Sequence, residues 1–221
     1  MRYSRDHKAE THAKIVRSAS AQLREKGTRG IGVADLMKEA GLTHGGFYAH
    51  FGSREDLVVE AIAYAMDRST RRWGELVEDK PADERLAMLI DTYLTVQHRD
   101  GAGRGCAISS LAVDVTREGQ KTRRVFLNKL EEMIALFADQ VPGEADEVAR
   151  RKAVATIATL VGTMVLARVA GNSAFSQEIL DAGRAAALSE AGKTDTATAK
   201  LARKTTPRKR AAVKKADAAA R

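Results

Sequence analysis

Cysteine and long apolar runs are scarce in this 221-residue chain, and each scarcity excludes a class of protein. The single cysteine, Cys106, cannot form a disulfide within the chain, which excludes a disulfide-stapled secreted scaffold. The longest uncharged stretch, residues 153–167, is shorter than the roughly 20 apolar residues of a membrane-crossing helix, so it predicts a buried helix. Residues 1–8 are charged and lack the apolar segment of a signal peptide. We therefore expect a cytoplasmic protein with no membrane partner.

Proline is nearly as rare, with three in the chain, and no alternating run bounded by turn residues predicts a strand. Apolar residues recur instead at helical spacing, as in Ile15, Ala19 and Leu23. Gly27 follows that stripe as a stop, and Ser53 with Asp56 has the form of a capping box at the start of another helix. The sequence predicts an all-α fold with helices over about 6–26, 33–40, 44–50, 57–78, 83–98, 120–141, 144–170 and 176–189, and a shorter one beginning near Cys106.

The net charge of +8 comes entirely from residues 191–221, which hold ten Lys or Arg and two Asp. Almost nothing bulky and apolar lies in this segment, so it cannot bury enough surface to offset its ordering entropy. We predict a disordered basic tail. In the remainder, residues 1–56 carry a net +3 and residues 57–190 a net −3. This polarity favours a nucleic-acid partner for the N-terminal part.

Residues 31–51 have the layout of a helix-turn-helix, in which two short helices meet around a glycine turn. The predicted turn is Gly41-Leu42-Thr43. Packing of the two helices leaves a polar face on the second, which can donate hydrogen bonds to phosphates and base edges. The shared core is expected to consist of Leu36, Met37, Ala40, Leu42, Phe47 and Phe51, and the polar face of Thr43, His44, Tyr48 and His50.

Gly45 and Gly46 lie in the same second helix. A glycine costs a helix roughly 1 kcal/mol relative to alanine, so local stability does not account for the pair. Close approach of the backbone to DNA does account for it.

The run Tyr48-Ala49-His50-Phe51 and the Gly52-Ser53-Arg54-Glu55-Asp56-Leu57 that follows it resemble the TetR family of repressors, whose recognition helix typically ends in Tyr-x-His-Phe. The resemblance covers about residues 8–65. It implies a nine-helix homodimer that binds operator DNA and has a variable ligand pocket in its larger domain. Ala49 stands where many members have a second aromatic residue. The residues that the resemblance implies as DNA contacts are Thr43, His44, Gly45, Gly46, Tyr48 and His50, with Arg54 at the place of a phosphate-binding lysine.

These observations predict a division of the chain into three parts. Residues 1–56 are the expected helix-turn-helix DNA-binding domain, with a connecting helix over 57–78; residues 57–190 are the expected ligand-sensing and dimerisation domain; and residues 191–221 are the tail. Helices over 144–170 and 176–189 are expected to form a four-helix seam between two copies. That seam would use Ala153, Ile157, Leu160, Val161, Met164, Ala167, Ile179 and Leu180, while pocket-lining candidates, most of them expected in the core, are Tyr64, Trp73, Met88, Tyr93, Phe126, Met133, Phe137 and Met164.

Cys106 admits two interpretations. It follows the glycine-rich residues 101–105 and opens a helix, where backbone N–H groups and Arg104 would favour the thiolate. Some electrophile- and hypochlorite-sensing members of the TetR family have a sensory cysteine at the start of the corresponding helix, and this segment resembles theirs. A lone cysteine is also commonly a small buried hydrophobe. The sequence leaves both roles open, and it places His12 and His98 among ordinary surface residues.

Together these features predict a homodimeric transcription repressor that is released from its operator by a small ligand, or by an electrophile or oxidant that modifies Cys106. The alternative is a nucleoid-associated packaging protein driven by the basic tail. The sequence has no paired carboxylates, His/Cys metal cluster, glycine-rich phosphate loop or nucleophile with an evident base. We therefore expect no enzyme activity, no catalytic residue, no metal and no cofactor.

Overall fold

The computed structural model describes residues 5–30 and 32–190, and these residues form helices joined by turns, with no strand among them. The predicted all-α fold is confirmed. The predicted tail, residues 191–221, lies outside the described residues. In chain order the elements are α1 (Arg5–Lys26), α2 (Val33–Glu39), a 3-10 helix (His44–Ala49), α3 (Arg54–Val77), α4 (Ala82–Tyr93), α5 (Val96–Asp100), a short 3-10 helix (Ala102–Arg104), α6 (Ala107–Val115), α7 (Gln120–Ala138), α8 (Asp146–Ala170) and α9 (Ala174–Glu190).

Helix α1 lies along α3 and joins the N-terminal helices to the rest of the molecule. Its predicted stripe of Ile15, Ala19 and Leu23 is fully buried, because residues three and four apart share one face of a helix. The predicted cap of α3 is also present: the Ser53 hydroxyl accepts a hydrogen bond from the Asp56 backbone N–H at 3.1 Å. This satisfies one of the backbone donors that every helix start leaves without an internal partner.

The helix predicted over 83–98 is wrong as a single element, since the chain forms α4 and α5 there. At Leu94 the backbone leaves the helical region, with φ −88° and ψ 67°. The Thr95 hydroxyl then accepts a hydrogen bond from the His98 backbone N–H at 3.2 Å and caps α5. Helical periodicity continues across the break, so the apolar pattern alone did not reveal it. After the break, α5 packs on α8 and the short 3-10 helix Ala102–Arg104 packs on α1.

Helix α8 is long and apolar enough, by length and composition, to cross a membrane. In the described chain one face of it packs on α6, α7 and α9. Most of the residues predicted to form the seam between two copies are buried within the single chain, among them Ala153, Leu160 and Met164. A different apolar set lies exposed on α8 and at the start of α9: Val154, Val165, Leu166, Val169 and Phe175.

Candidate nucleic-acid interface and adjoining cavity

The turn between α2 and the 3-10 helix is closed by two backbone hydrogen bonds. Gly41 N–H donates to the Lys38 carbonyl at 3.0 Å, and Leu42 N–H donates to the Met37 carbonyl at 2.8 Å. This pair of bonds ends a helix when the residue after its cap adopts a left-handed conformation. Gly41 has φ +76°, which L-residues with a Cβ rarely adopt. The predicted glycine turn is therefore confirmed, and it sets the angle between the two helices.

The shared core of the helix-turn-helix is present as predicted. Leu36, Met37, Phe47 and Phe51 are at most 3% exposed. The rings of Phe47 and Phe51 stack with their centroids 5.4 Å apart. While the aromatic pair is buried, Tyr48 and Ala49, which lie between its two members in the sequence, are exposed.

The outward face of the 3-10 helix His44–Ala49 is polar and carries no formal charge from Lys, Arg, Asp or Glu. Tyr48 is 70% exposed, and its ring meets that of His44 edge-on at 6.4 Å. Thr43, His44 and Gly45 are exposed as well. The structure thus brings Thr43, His44, Gly45 and Tyr48 together on one open surface. The segment is a 3-10 helix and not the predicted α-helix, a conformation usual in short pieces.

Nothing among the described residues requires glycine at Gly45 or Gly46. A Cβ added at Gly45 would have no atom within 4 Å. A Cβ added at Gly46 would make ordinary contacts of 3.7 Å with Met37 and Thr43. Neither residue is among the described glycines with positive φ. Both packing and backbone conformation therefore leave the glycine pair unexplained within the folded chain.

His50 is half-buried, as are Gly46 and Arg54, whereas the other predicted DNA contacts are exposed. The Nδ1 of His50 has no hydrogen-bond partner among the described residues, and its ring lies 6.0 Å from that of His12. Burial lowers the pKa of His50, and His12 and Lys8 lower it further. His12, expected at the surface, is half-buried: its ring stacks on Phe51 at 4.5 Å, and its Nε2 lies 2.6 Å from a carboxylate oxygen of Glu60.

Arg54 is half-buried and donates a hydrogen bond to the carbonyl of Thr28, in the loop that joins α1 to α2. The same loop is held from the other side, because the Thr28 N–H donates to Asp114 of α6 at 2.9 Å. Arg54 therefore has a structural contact in this chain, and its phosphate contact stays a prediction. The C-terminal part of α6 touches the N-terminal helices directly.

The opposite end of α6 borders a cavity of about 370 Å³ between α1, α3, α5 and the loop before α6. Four arginines line it: Arg24, Arg68, Arg72 and Arg104. Cys106, at the N-cap of α6, lines it as well. Because α6 rises about 1.5 Å per residue, its nine residues join the cavity to the Thr28 loop over about 13 Å.

Cys106 is 5% exposed. Its backbone N–H donates to Nε2 of His98 at 2.9 Å, while Nδ1 of His98 lies 2.7 Å from the Tyr93 carbonyl. A neutral ring with its proton on Nδ1 satisfies both contacts. Burial lowers the pKa of His98, which favours that neutral ring. The expected surface position of His98 is therefore wrong: it connects α4, α5 and the start of α6.

The predicted pocket-lining residues separate into three groups, except Met88, which is half-buried and belongs to none of them. Trp73 lines the cavity. Trp73, Tyr93, Met133 and Phe137 also border a small apolar gap next to Cys106, which has almost no free volume. Phe126 and Met164 belong to the core, and Tyr64 packs against it.

The cavity arginines were not predicted as site residues. Arg68 and Arg72 have the i, i+4 spacing of one helix face, but arginines at that spacing usually mark a solvated face. Arg24 and Arg104 lie 80 positions apart, and only the fold brings them to the same cavity. Among the described residues no group of three or more His, Cys, Asp or Glu could hold a metal ion.

Comparison with known proteins agrees with this geometry. The family model described as bacterial regulatory proteins, tetR family, matches residues 15–61, which include the helix-turn-helix. An uncharacterised HTH-type transcriptional regulator of Mycobacterium tuberculosis is 27% identical over 167 residues, which are 71% of this chain and 83% of that protein. The HTH-type transcriptional repressor KstR2 of the same species is 26% identical over 86 residues, 38% of this chain and 43% of that protein. A solved TetR transcriptional regulator from Chloroflexus aurantiacus has the same fold, with a TM-score of 0.68 at 23% identity over 81% of this chain and 94% of that one.

Proposed function

The chain belongs to the TetR family of bacterial regulatory proteins, and from this premise we propose that it is a transcription repressor acting on operator DNA in the cytoplasm, at the nucleoid. Residues 1–56 bind DNA and residues 57–190 sense the signal and dimerise. The observation that carries the proposal is the open face of Thr43, His44, Gly45 and Tyr48, held outward by the buried pair Phe47 and Phe51.

The glycine pair supports contact with DNA at this face. Since neither Gly45 nor Gly46 is required by the chain's own packing, each serves a surface outside the chain. A backbone without side chains can approach the bases and phosphates closely. Tyr48 and His44 then supply hydrogen bonds to that DNA, and His50 and Arg54 add contacts at its edge.

The repressor acts as a homodimer. The apolar residues left exposed on α8 and α9 support this, since Val169 is 84% exposed, Phe175 62% and Leu166 59%. Exposed apolar residues on neighbouring turns of long helices are typical of helix-helix interfaces. Two recognition segments roughly 34–36 Å apart would meet successive major grooves, so the operator is near-palindromic.

Release from the operator starts at the cavity. A small ligand bound there, or an electrophile or oxidant that modifies Cys106, shifts the population between two positions of α6. The contact between Asp114 and the Thr28 N–H supports this route, because movement of α6 is passed to the loop before the helix-turn-helix. The chain acts as a regulator and not as an enzyme.

The test is binding of the full-length protein to sheared DNA of its own genome at physiological salt, followed by sequencing of the bound fragments. We expect enrichment of few sites that share a near-palindrome, with two chains on each site. Hypochlorite is then added to the wild type and to Cys106→Ser.

If hypochlorite releases the wild type from its DNA but not Cys106→Ser, the result supports modification of Cys106 as the signal. If hypochlorite releases neither protein, a bound ligand is the remaining signal. Uniform recovery of the genome would contradict a specific operator and favour packaging driven by residues 191–221.

A further inference from the structure

We infer that the cavity is a binding site for a small anion of the carboxylate or phosphate class, and that this anion is the effector. The inference rests on the proposed function for its regulatory meaning, but the binding site stands on the cavity itself. Its chemistry follows from three observations: the charge of its lining, the contacts of Arg24 and the placement of Trp73.

The charge of the lining has one sign. Arg24, Arg68, Arg72 and Arg104 face the cavity, and none of its described lining residues is Asp or Glu. Among the ion pairs of the described residues, none includes any of these four arginines. Guanidinium groups present fixed pairs of N–H donors that match carboxylate and phosphate oxygens. An anion would supply the negative charge that the described lining residues lack.

Arg24 shows the imbalance most clearly, because it is only 6% exposed. Its Nε donates to the Gly103 carbonyl at 2.9 Å, as does one of its Nη atoms. That neutral oxygen is the only acceptor which the described residues give this guanidinium. Burial lowers the pKa of Arg24 and the charge of Arg68 lowers it further, while the neighbouring Glu25 carboxylate raises it more weakly. A buried cation that is hydrogen-bonded to no carboxylate is costly, and a bound anion would reduce that cost.

Trp73 provides an apolar wall beside the charged groups. Neutral donors complete the lining, among them Ser69, Thr92 and Thr95. No lining residue belongs to α8 or α9, so a dimer formed through their exposed faces leaves the cavity open. A small organic acid or a phosphate compound fits this combination better than an uncharged apolar molecule does.

Binding would act on the N-terminal helices through Arg24, which lies near the end of α1. An anion competes with the Gly103 carbonyl for the Arg24 guanidinium, since both are acceptors for the same N–H groups. Release of Gly103 frees the loop that leads into α6. The effector thus changes a contact between α1 and the loop before Cys106.

The test uses the fluorescence of Trp73, the only tryptophan of the chain, in the full-length protein without DNA. Sodium benzoate and inorganic pyrophosphate are titrated at constant ionic strength, with benzamide as the uncharged control. We expect a saturable change with benzoate or pyrophosphate and none with benzamide. Saturation by benzoate alone assigns a carboxylate, and saturation by pyrophosphate alone assigns a phosphate.

Arg68→Gln and Arg104→Gln should each weaken binding about tenfold or more, because each removes a charge-assisted hydrogen bond. Arg71→Gln, on the same helix as Arg68 but outside the cavity lining, is the matched control and should bind as the wild type does. No saturable change with either anion, or equal binding by all variants, would overturn the site.

Operator binding is measured separately. If the anion binds the protein but does not release it from the operator, the binding site stands and the anion is not the effector. A wild-type protein that recognises its operator but shows no saturable anion binding would overturn the inference and keep the proposed function.

Discussion

The face of Thr43, His44, Gly45 and Tyr48 proposed to contact DNA, here called the recognition face, differs from the cavity proposed to bind an anion in the groups that each offers to a negatively charged partner. The recognition segment, residues 43–50, contains no Lys or Arg and presents neutral donors and backbone. The cavity collects four arginines from α1, α3 and the loop before α6. Neutral donors can read the pattern of base edges, whereas guanidinium groups without a carboxylate partner can supply affinity for a compact charge. If both proposals hold, binding at one end of the protein depends on the shape of the partner and binding at the other depends on its charge.

The two regions also differ in how they are built. The recognition face depends mainly on the core of residues 36–51, which α1 joins through the stacking of His12 on Phe51. The cavity depends on contacts between helices far apart in sequence, such as the bond of Arg24 to Gly103. Variants that affect one region should leave the other intact, and the following three predictions test that separation.

The largest effect is expected from Phe47→Ala. The side chain is 1% exposed, and its removal opens a cavity in the helix-turn-helix that should cost about 3–5 kcal/mol of unfolding free energy. Urea unfolding measures the loss, and operator binding should disappear with it. Trp73 fluorescence should still respond to the anion below the unfolding transition. If Phe47→Ala loses both operator binding and the fluorescence response to the anion, the two regions are not structurally independent.

A smaller effect is expected from Tyr48→Ala, which is the matched control for Phe47→Ala on the neighbouring residue. Tyr48 is 70% exposed, so the unfolding free energy should change by no more than about 0.5 kcal/mol. Operator affinity should fall about tenfold or more, since a lost DNA contact typically costs about 1–3 kcal/mol. Fluorescence anisotropy with labelled operator measures the affinity. Unchanged affinity would remove Tyr48 from the DNA contacts.

The smallest effect is a pH dependence of stability that comes from His98. Burial lowers its pKa in the folded chain, so the unfolded chain binds more protons in mild acid. The stabilising contribution is full above the unfolded pKa of about 6.5 and is lost as the pH falls through the folded pKa. The melting temperature of the wild type should therefore decrease from pH 7.5 to pH 5.5, more steeply than that of His98→Gln.

His50→Gln is the control variant for the recognition face, where burial also lowers the pKa of the histidine. We expect it to retain more of the pH dependence, because His98 accepts the Cys106 N–H only as a neutral ring. A slope that His50→Gln reduces more than His98→Gln would reverse the assignment.

Most of the fold and the recognition face could be predicted, because their signals lie close together in the sequence. The helical stripe of α1, the turn at Gly41 and the cap at Ser53 each involve residues fewer than ten positions apart. The break between α4 and α5 was missed, since Thr95 as a cap leaves no mark in the apolar pattern. Likewise, the sequence did not show which apolar residues of α8 its own chain covers.

The sequence by itself determined the helical class, the helix-turn-helix and the family resemblance, since backbone preferences and 3.6-residue periodicity act over short distances. Only the tertiary structure decided that Cys106 is buried, that His98 links three elements and that four arginines share a cavity without a carboxylate. These facts depend on residues up to about 80 positions apart. Their contacts exist only once α1, α3 and α6 have packed, because the energy of such a site belongs to the arrangement and not to any one segment.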